Sequence, residues 1–415
     1  MSVVPRDCFV SARGLVSFEV ARLTALALVR AQARSEVVPL AEARGRVLAA
    51  PVVAPRSLPA FDQAAMDGYA IALGDRTGLP LLLPVEGTTE AGDPPAVLAP
   101  GTAHRITTGA ALPRGADTVV MQEEVTLVDG AIALPPGLPA NDHIRRAGED
   151  IARGTTVLAC GRTLGWPEIT LLAALGIAAI PVAATVKVVV LATGSELMRA
   201  GEPASASHIH DSNGPMLAAL LAGPGVEVGA ITVGDEVDAI AHLLATLSAT
   251  ADVVVTTAGV ADGSRDHVRA AILQAGGTLD VVKVAMKPGK PLALGRIGRA
   301  AFVGLPGNPQ AAAFAALAFV RPMIDMLRGV PAAKRLTARL ATARKARAGR
   351  TELVPMRLAC EEGTLVAHSV GPDGSHRLAP LAAADAVAIL PGSDEPIAAG
   401  MPVEILSLER YRFER

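Results

Sequence analysis

Between residues 186 and 330, short runs of Val and Leu alternate with stretches of helical periodicity, and few folds accept that alternation. Lys187–Ala192, Val226–Val233 and Asp252–Thr257 are predicted as strands. The helices expected after them span Asn213–Ala222, Glu236–Ser248 and Arg265–Ala275, the first with Asp211, Ser212 or Asn213 available as its cap. Leu279–Val284, Leu292–Leu294 and Ala300–Val303 read as further strands before a long helix, Pro309–Leu327. Strands this continuously apolar are covered on both faces, so the expected fold is α/β and multidomain, built around a mainly parallel, doubly wound sheet.

The remainder has a different texture, and 415 residues exceed one ordinary core. Residues 17–34 fit an amphipathic helix, and a second short helix is expected over Leu40–Ala49. From Pro51 to Asp142, short apolar runs (Tyr69–Leu73, Leu81–Val85, Thr118–Val120, Val125–Val128, Ala131–Leu134) alternate with Gly, Pro and Asp clusters, as in a β-rich domain. Residues 331–415 return to short strands at Leu353–Leu358, Thr364–His368, Ala386–Leu390 and Val403–Leu406. The expected division is a helical linking domain over 14–50 plus 143–185, an inserted β-rich domain over 51–142, the α/β domain over 186–330 and a C-terminal β domain over 331–415.

Composition removes several classes of function. Aromatic residues make up 2% of the chain and the net charge is −2, which offers neither stacking platforms nor a basic field for nucleic acid. Seven Lys or Arg residues fall between Lys334 and Arg350 without an acid; a solvated domain edge is the first reading and a patch for a phosphorylated ligand the second. Leu171–Ala192 is apolar, but Gly176, Pro181 and Lys187 interrupt it, so a helix end and buried strands are expected rather than a membrane span. Cys8, Cys160 and Cys360 lie far apart, with no CxxC or zinc spacing. No apolar signal core opens the chain, and a cytoplasmic location is expected.

The chemistry gathers in the loops that follow the parallel strands, where open α/β sheets bind ligands. Three of them carry acids: Gly194-Ser195-Glu196, Gly234-Asp235, and the run Gly259–Asp266, which includes Ser264, Arg265 and Asp266. Carboxylates brought together repel unless a cation or proton lies between them, and oxygen ligands with room for water favour Mg²⁺. Taken singly, Asp235 could cap the next helix and Asp266 could answer a helix dipole, whereas Glu196 has no evident capping duty. Lys287-Pro288-Gly289-Lys290 sets two ammonium groups on a stiffened turn. Gly304–Pro309 ends a strand and opens a helix, so Gly307 and Asn308 stand where free N–H groups can hold an anion. Two alternating histidines, His208 and His210, suggest a metal site only weakly.

These segments together resemble one family. Pro59-Ala60-Phe61-Asp62-Gln63-Ala64-Ala65-Met66-Asp67-Gly68-Tyr69-Ala70 is similar to the PxFDNSAMDGYA signature of the molybdopterin molybdotransferases, or molybdenum insertases, of the MoeA and gephyrin E-domain type. Arg105–Ala110 resembles their RIxTGA loop, Arg146–Ile151 their RxxGEDI and Leu191–Leu197 their LxTGxEL. Ile209–Asn213, the two Pro-rich loops and Gly374-Ser375-His376 match in order, so the resemblance runs through nearly the whole chain.

The resemblance implies a homodimeric enzyme that inserts molybdate into adenylylated molybdopterin with release of AMP, the last step of molybdenum cofactor synthesis, assisted by Mg²⁺. It implies functional positions at Asp62, Thr108, Glu149, Asp150, Glu196, Asp235, Asp266, Lys287 and Lys290, with Glu196, Asp235 and Asp266 around the metal. Gly194, Ser264, Arg265, Gly307 and Asn308 join Thr108 and the two lysines on the ligand side. Asp62 would reach the partner subunit's site. A molybdopterin adenylyltransferase and molybdoenzyme chaperones are the implied protein partners.

Two departures qualify the match. Gln63-Ala64 stands where the family has Asn-Ser, and Thr257-Ala258-Gly259-Val260-Ala261 where it has Ser-Gly-Gly-Val-Ser. The second adds a Cβ where backbone approaches an anion and removes a hydroxyl donor. Three alternatives therefore stand beside the insertase reading: a paralogue for another metal oxyanion or a particular client enzyme, a molybdopterin adenylyltransferase, and a non-catalytic pterin-binding scaffold.

Overall fold

A computed structural model describes residues 14–32, 34–74, 82–203, 205–258, 267–331, 335–371 and 374–408. The chain divides into two compact units. One holds the described residues up to Val37, Gly45–Ala49 and those from Pro181 onward; the other holds Val38–Arg44 and Ala50–Ile180.

The first unit is built on a six-stranded sheet in the order Val226–Val233, Val186–Thr193, Val253–Thr257, Ala300–Leu305, Pro291–Ile297, Thr278–Lys283. The first four strands are parallel, and Pro291–Ile297 alone runs against its neighbours. Alternation sorts the side chains to two faces. Val253, Val255, Ala301, Val303 and Leu305 pack under the helical run 309–327. Val254, Ala300 and Phe302 pack under Val237–Ser248 and His267–Gln274. Helices thus cover both faces.

The expected helix Pro309–Leu327 is continuous but opens into a π-turn over Ala316–Val320. Pro322 explains it: proline has no N–H to donate and its ring crowds the carbonyl one turn back, which a wider turn relieves. This is one helix long and apolar enough to cross a membrane, yet 72% of its apolar window is buried inside the protein. It is the core helix of the sheet.

Phe18–Ala27 forms the N-terminal helix, capped by the Ser17 hydroxyl, which accepts from the Val20 N–H at 3.3 Å. Its Phe18 ring meets Phe319 at 5.5 Å, so this helix packs into the α/β core and not with residues 143–180. The helix expected over Leu40–Ala49 shrinks to a 3₁₀ turn at Leu40–Glu42. Gly45 takes a left-handed φ of 76°, and Leu48 is extended to bridge Val182. A periodic pattern cannot survive a left-handed residue in its middle.

The C-terminal strands Thr351–Glu361, Thr364–Ser369, Leu336–Leu340, Pro402–Ser407 and Ala386–Leu390 close on themselves, because Ala386–Leu390 also pairs with Thr351–Glu361. Leu336–Leu340 lies inside the basic run. Its arginines are spent locally: Arg335 pairs with Glu19 and Glu404, and Arg339 donates to the Gly400 carbonyl.

In the second unit, a six-stranded sheet runs Thr118–Met121, Gly68–Ile71, Ala103–Ile106, Leu82–Thr89, Ala131–Ala133, Thr126–Val128. Two short ladders join its ends of chain: Gln63–Ala64 with Ile144–Arg145, and Val52–Val53 with Thr156–Leu158. A helix, Trp166–Ala174, follows. Gly68 is required by close approach, since a Cβ there would lie 1.9 Å from the Val120 carbonyl oxygen.

Candidate active site

Register brings the strand ends of the α/β sheet level. Thr193 lies opposite Val233, Ala192 opposite Thr257, and Thr257 opposite Leu305. The turns that follow therefore share one edge, which places Glu196, Asp235, Ala258, Gly307 and Asn308 there. Thr278–Lys283 runs in the same direction as the parallel strands, so Lys287 and Lys290 leave at that edge too.

Two of the three predicted acids belong to one small construction. The Asp235 carboxylate accepts the Ser195 N–H at 3.0 Å, and the Ser195 hydroxyl accepts the Asp235 N–H at 3.3 Å. The Glu196 carboxylate folds back over Gly194, where a Cβ would stand 2.7 Å from one of its oxygens. Among the described residues, neither Glu196 nor Asp235 meets a cation. The third acid, Asp266, lies outside the described residues, as do Ser264 and Arg265. No group of three His, Cys, Asp or Glu gathers among those described. What stands on this edge is a pair of hard oxygen donors without counter-charge, a donor set suited to Mg²⁺.

The other turns lock onto one another. A Cβ at Gly289 would sit 3.3 Å from Pro306 and 3.5 Å from Ala311, and one at Gly307 would sit 3.4 Å from the Ala258 Cβ. The Asn213 amide donates to the Gly307 carbonyl at 2.7 Å. The predicted anion turn is partly spent: the Asn308 amide donates to the Ser375 hydroxyl at 3.1 Å, and the Gln310 N–H to the Ser375 carbonyl at 3.2 Å. Pro309 has no N–H to offer. Asn308 and Gln310 thus tie the α/β domain to the C-terminal domain, while Gly307 bonds within the α/β domain.

Lys287 is on a two-residue strand beside Thr351–Glu361, and its ammonium lies 3.6 Å from the buried Glu352 carboxylate. Lys290 is exposed. Between Lys287 and the C-terminal domain lies a cavity of about 200 Å³, lined by Lys287, Gly289, Gln310, Arg344, Glu352 and Ser375 among others. Sequence reasoning missed Glu352, because an acid at the start of a strand carries no sign of the lysine it faces across a ladder. Asp211, one of three candidates, is the acceptor at the Asn213–Leu221 helix, taking the Gly214 N–H at 3.0 Å. His208 and His210 bond locally to Ser205 and to the Glu202 carbonyl.

In the second unit the motif residues knit to each other. Asp62 accepts from the Arg146 guanidinium at 2.7 Å and from the Ala147 N–H at 2.8 Å; that N–H first and the guanidinium second hold its carboxyl below the usual range. Asp67 accepts both the N–H and the hydroxyl of Thr108, at 2.6 and 2.7 Å, and these lower its carboxyl in the same way. Glu149 accepts the Arg146 N–H at 2.7 Å. Ala64, where the family has Ser, is fully buried with Ala70, Ile106, Ala110 and Val119. Arg146 and Asp67 were not among the predicted site residues, though both lie inside the quoted motifs.

These features define a class: a multidomain protein whose central, mainly parallel α/β sheet presents acids and lysines together at one end, with a small closed β domain sealing that end. Three family profiles cover it in order: the MoeA N-terminal region (domain I and II) over residues 16–176, a probable molybdopterin binding domain over 189–326, and the MoeA C-terminal region (domain IV) over 337–408. Molybdopterin molybdenumtransferase 2 of Mycobacterium tuberculosis is 38% identical over 392 residues, covering 90% of this chain and 95% of the relative. The molybdopterin molybdenumtransferase of Haemophilus influenzae is 36% identical, covering 90% and 93%. A crystal structure of the molybdopterin biosynthesis moeA protein from Pyrococcus horikosii superposes with a TM-score of 0.82 at 28% identity, covering 96% of this chain and 100% of that one. The chain belongs to the molybdopterin molybdenumtransferase family, a family of transferases.

Proposed function

We propose that this protein transfers molybdenum from molybdate to adenylylated molybdopterin and releases AMP, completing the molybdenum cofactor. The observation that carries the reading is the convergence of the Glu196, Asp235, Lys287 and Lys290 turns on one edge of a molybdopterin-binding type of domain. The reaction breaks a phosphoanhydride, which requires negative charge to be neutralised around the phosphoryl group and the attacking oxygen to be held in line. Lys287 and Lys290 supply cationic donors at the anions, and the cavity beside Lys287 fits a small oxyanion. Glu196 and Asp235, with Asp266, would hold Mg²⁺, whose charge offsets that of the phosphoryl oxygens when bound. Glu352 holds Lys287 in place from the C-terminal domain.

Asp62 and Thr108 shape the pterin side, Asp62 across a homodimer interface. The central experiment measures AMP released from adenylylated molybdopterin on addition of molybdate and Mg²⁺. Stoichiometric release dependent on both is expected. Synthesis of the adenylylated pterin from ATP would instead mark an adenylyltransferase, and binding without AMP a scaffold. For the dimer, mixing inactive Asp62→Asn and Glu196→Gln chains should restore about a quarter of wild-type turnover in a random population of pairs. No recovery in demonstrably mixed dimers overturns the shared site.

A further inference from the structure

A second polar cleft lies at the other edge of the same sheet, where the parallel strands begin. Asp252 directly precedes the Val253–Thr257 strand, and Ala301 is the second residue of the neighbouring Ala300–Leu305 strand. The eight-residue Val186–Thr193 strand separates this edge from the acid turns by roughly 25 Å. Four arginines line the cleft: Arg30, Arg34, Arg296 and Arg299. Asp252 is the one acid among its lining residues, in a protein whose net charge is −2.

The plain reading is an arginine cluster neutralised by its own surroundings, and it accounts for part of what is seen. Arg34 and Arg299 both reach Asp252, at 2.6 and 3.4 Å, and Arg299 also donates to the Thr250 carbonyl at 2.9 Å. Arg296 donates to the Leu28 carbonyl. Carbonyls orient a guanidinium without cancelling its charge, so one carboxylate stands against four cations. Each guanidinium carries five N–H donors, and most of these stay unspent among the described residues. Arg30 makes no hydrogen bond or ion pair there. Gln32 lines the same cleft, and both atoms of its side-chain amide are shielded from solvent without a hydrogen-bond partner. A buried amide with no partner, beside unspent guanidinium donors, marks a polar site that the described residues do not complete.

We propose that this cleft is a second anion-binding site, for a small phosphate compound carrying at least two negative charges. Guanidinium forks match phosphate oxygens in pairs, and several forks around one opening need a multiply charged ligand to offset them. The cleft, about 370 Å³, accommodates a small molecule and not a polymer backbone. Its place on the far edge makes it separate from the reacting groups, so a ligand there acts on binding or assembly and takes no part in the chemistry.

The test uses inorganic pyrophosphate as the probe, titrated calorimetrically into the full-length chain at low ionic strength. Lys287→Ala with Lys290→Ala silences anion binding at the acid edge. One pyrophosphate per chain should still bind to that double variant. Adding Arg30→Ala should weaken it about tenfold or more, the effect of losing one charged hydrogen-bond pair. Because Arg30 has no partner to lose among the described residues, its variant should melt at the parental temperature, and Arg30→Lys, which keeps charge without the fork, should have intermediate affinity. Loss of all pyrophosphate binding in the Lys287/Lys290 double variant overturns the proposal. So does an unchanged affinity in Arg30→Ala, which would mean that Gln32 and the arginines are satisfied by water.

Discussion

Asp62 and Glu196 stand in equally prominent motifs, but their carboxylates live differently. Asp62 is held by a guanidinium and a backbone N–H of its own chain, and Asp67 beside it by a backbone N–H and a hydroxyl. Glu196 and Asp235 stand on two turns, joined through Ser195, with no cation in contact among the described residues. An acid whose partners are internal braces a loop, and its ionisation serves the fold. A carboxylate with no cation beside it is left open to take one. Motif strength alone would rank these acids equally; their observed partners do not.

The largest expected effect tests the ligand-facing side. Glu196→Gln and Asp235→Asn should each lower AMP release roughly a hundredfold, while the thermal midpoint holds. A variant that loses stability and keeps turnover would move that acid to the bracing class. On the other side, Asp62→Ala strands the Arg146 guanidinium and the Ala147 N–H. With Asp62 and Arg146 38% and 43% exposed, solvent screening limits the cost to about 1 kcal/mol. Urea unfolding read by a probe in residues 50–180 measures it, and an unchanged midpoint would remove the bracing role.

A comparable, slightly smaller change is expected at the third turn. Ala258 has a φ of 72°, a left-handed conformation that disfavours any side chain with a Cβ. Ala258→Gly should therefore stabilise the protein by roughly 0.5–1 kcal/mol, the relief of strain less the extra chain entropy of glycine. Destabilisation on that substitution would show that the packing of the Ala258 methyl matters more than the backbone strain.

The smallest effect is in pH. The folded Asp62 and Asp67 carboxyls titrate below their unfolded values. Their contribution is therefore complete above the unfolded value, about pH 4, and is lost as pH falls through the folded one. Denaturant midpoints should lose this part only in the acid range, and Asp62→Asn should flatten the curve there.

Much of the α/β unit is legible in the sequence because its strands are covered on both faces and its helices are periodic. Val226–Val233 is observed with the predicted limits, and the neighbouring strands differ by one to three residues at either end. Signals failed where a partner distant in sequence decides the local state. Gly45 ended the expected Leu40–Ala49 helix, and Leu48 turned to pair with Val182. Leu336–Leu340 looked like a solvated basic stretch, but its alternate residues Ala338 and Leu340 are buried in a closed β ring. The N-terminal helix was recognisable, yet its packing against Phe319 was not, because amphipathicity names a buried face without naming the surface that buries it.

The sequence by itself determined the alternation of strand and helix, the acids and lysines that end up at one sheet edge, and membership in the family, since each rests on local pattern or motif. Only the tertiary structure decided which of those charges are already answered. Asp62 and Asp67 are answered within their unit, Lys287 by Glu352 and Asn308 by Ser375, whereas Asp235 has only the Ser195 N–H and neither it nor Glu196 meets a cation among the described residues. The reason is range: hydrogen bonds and desolvation act over a few ångströms, and residues 41 or more positions apart come that close only when the chain is folded.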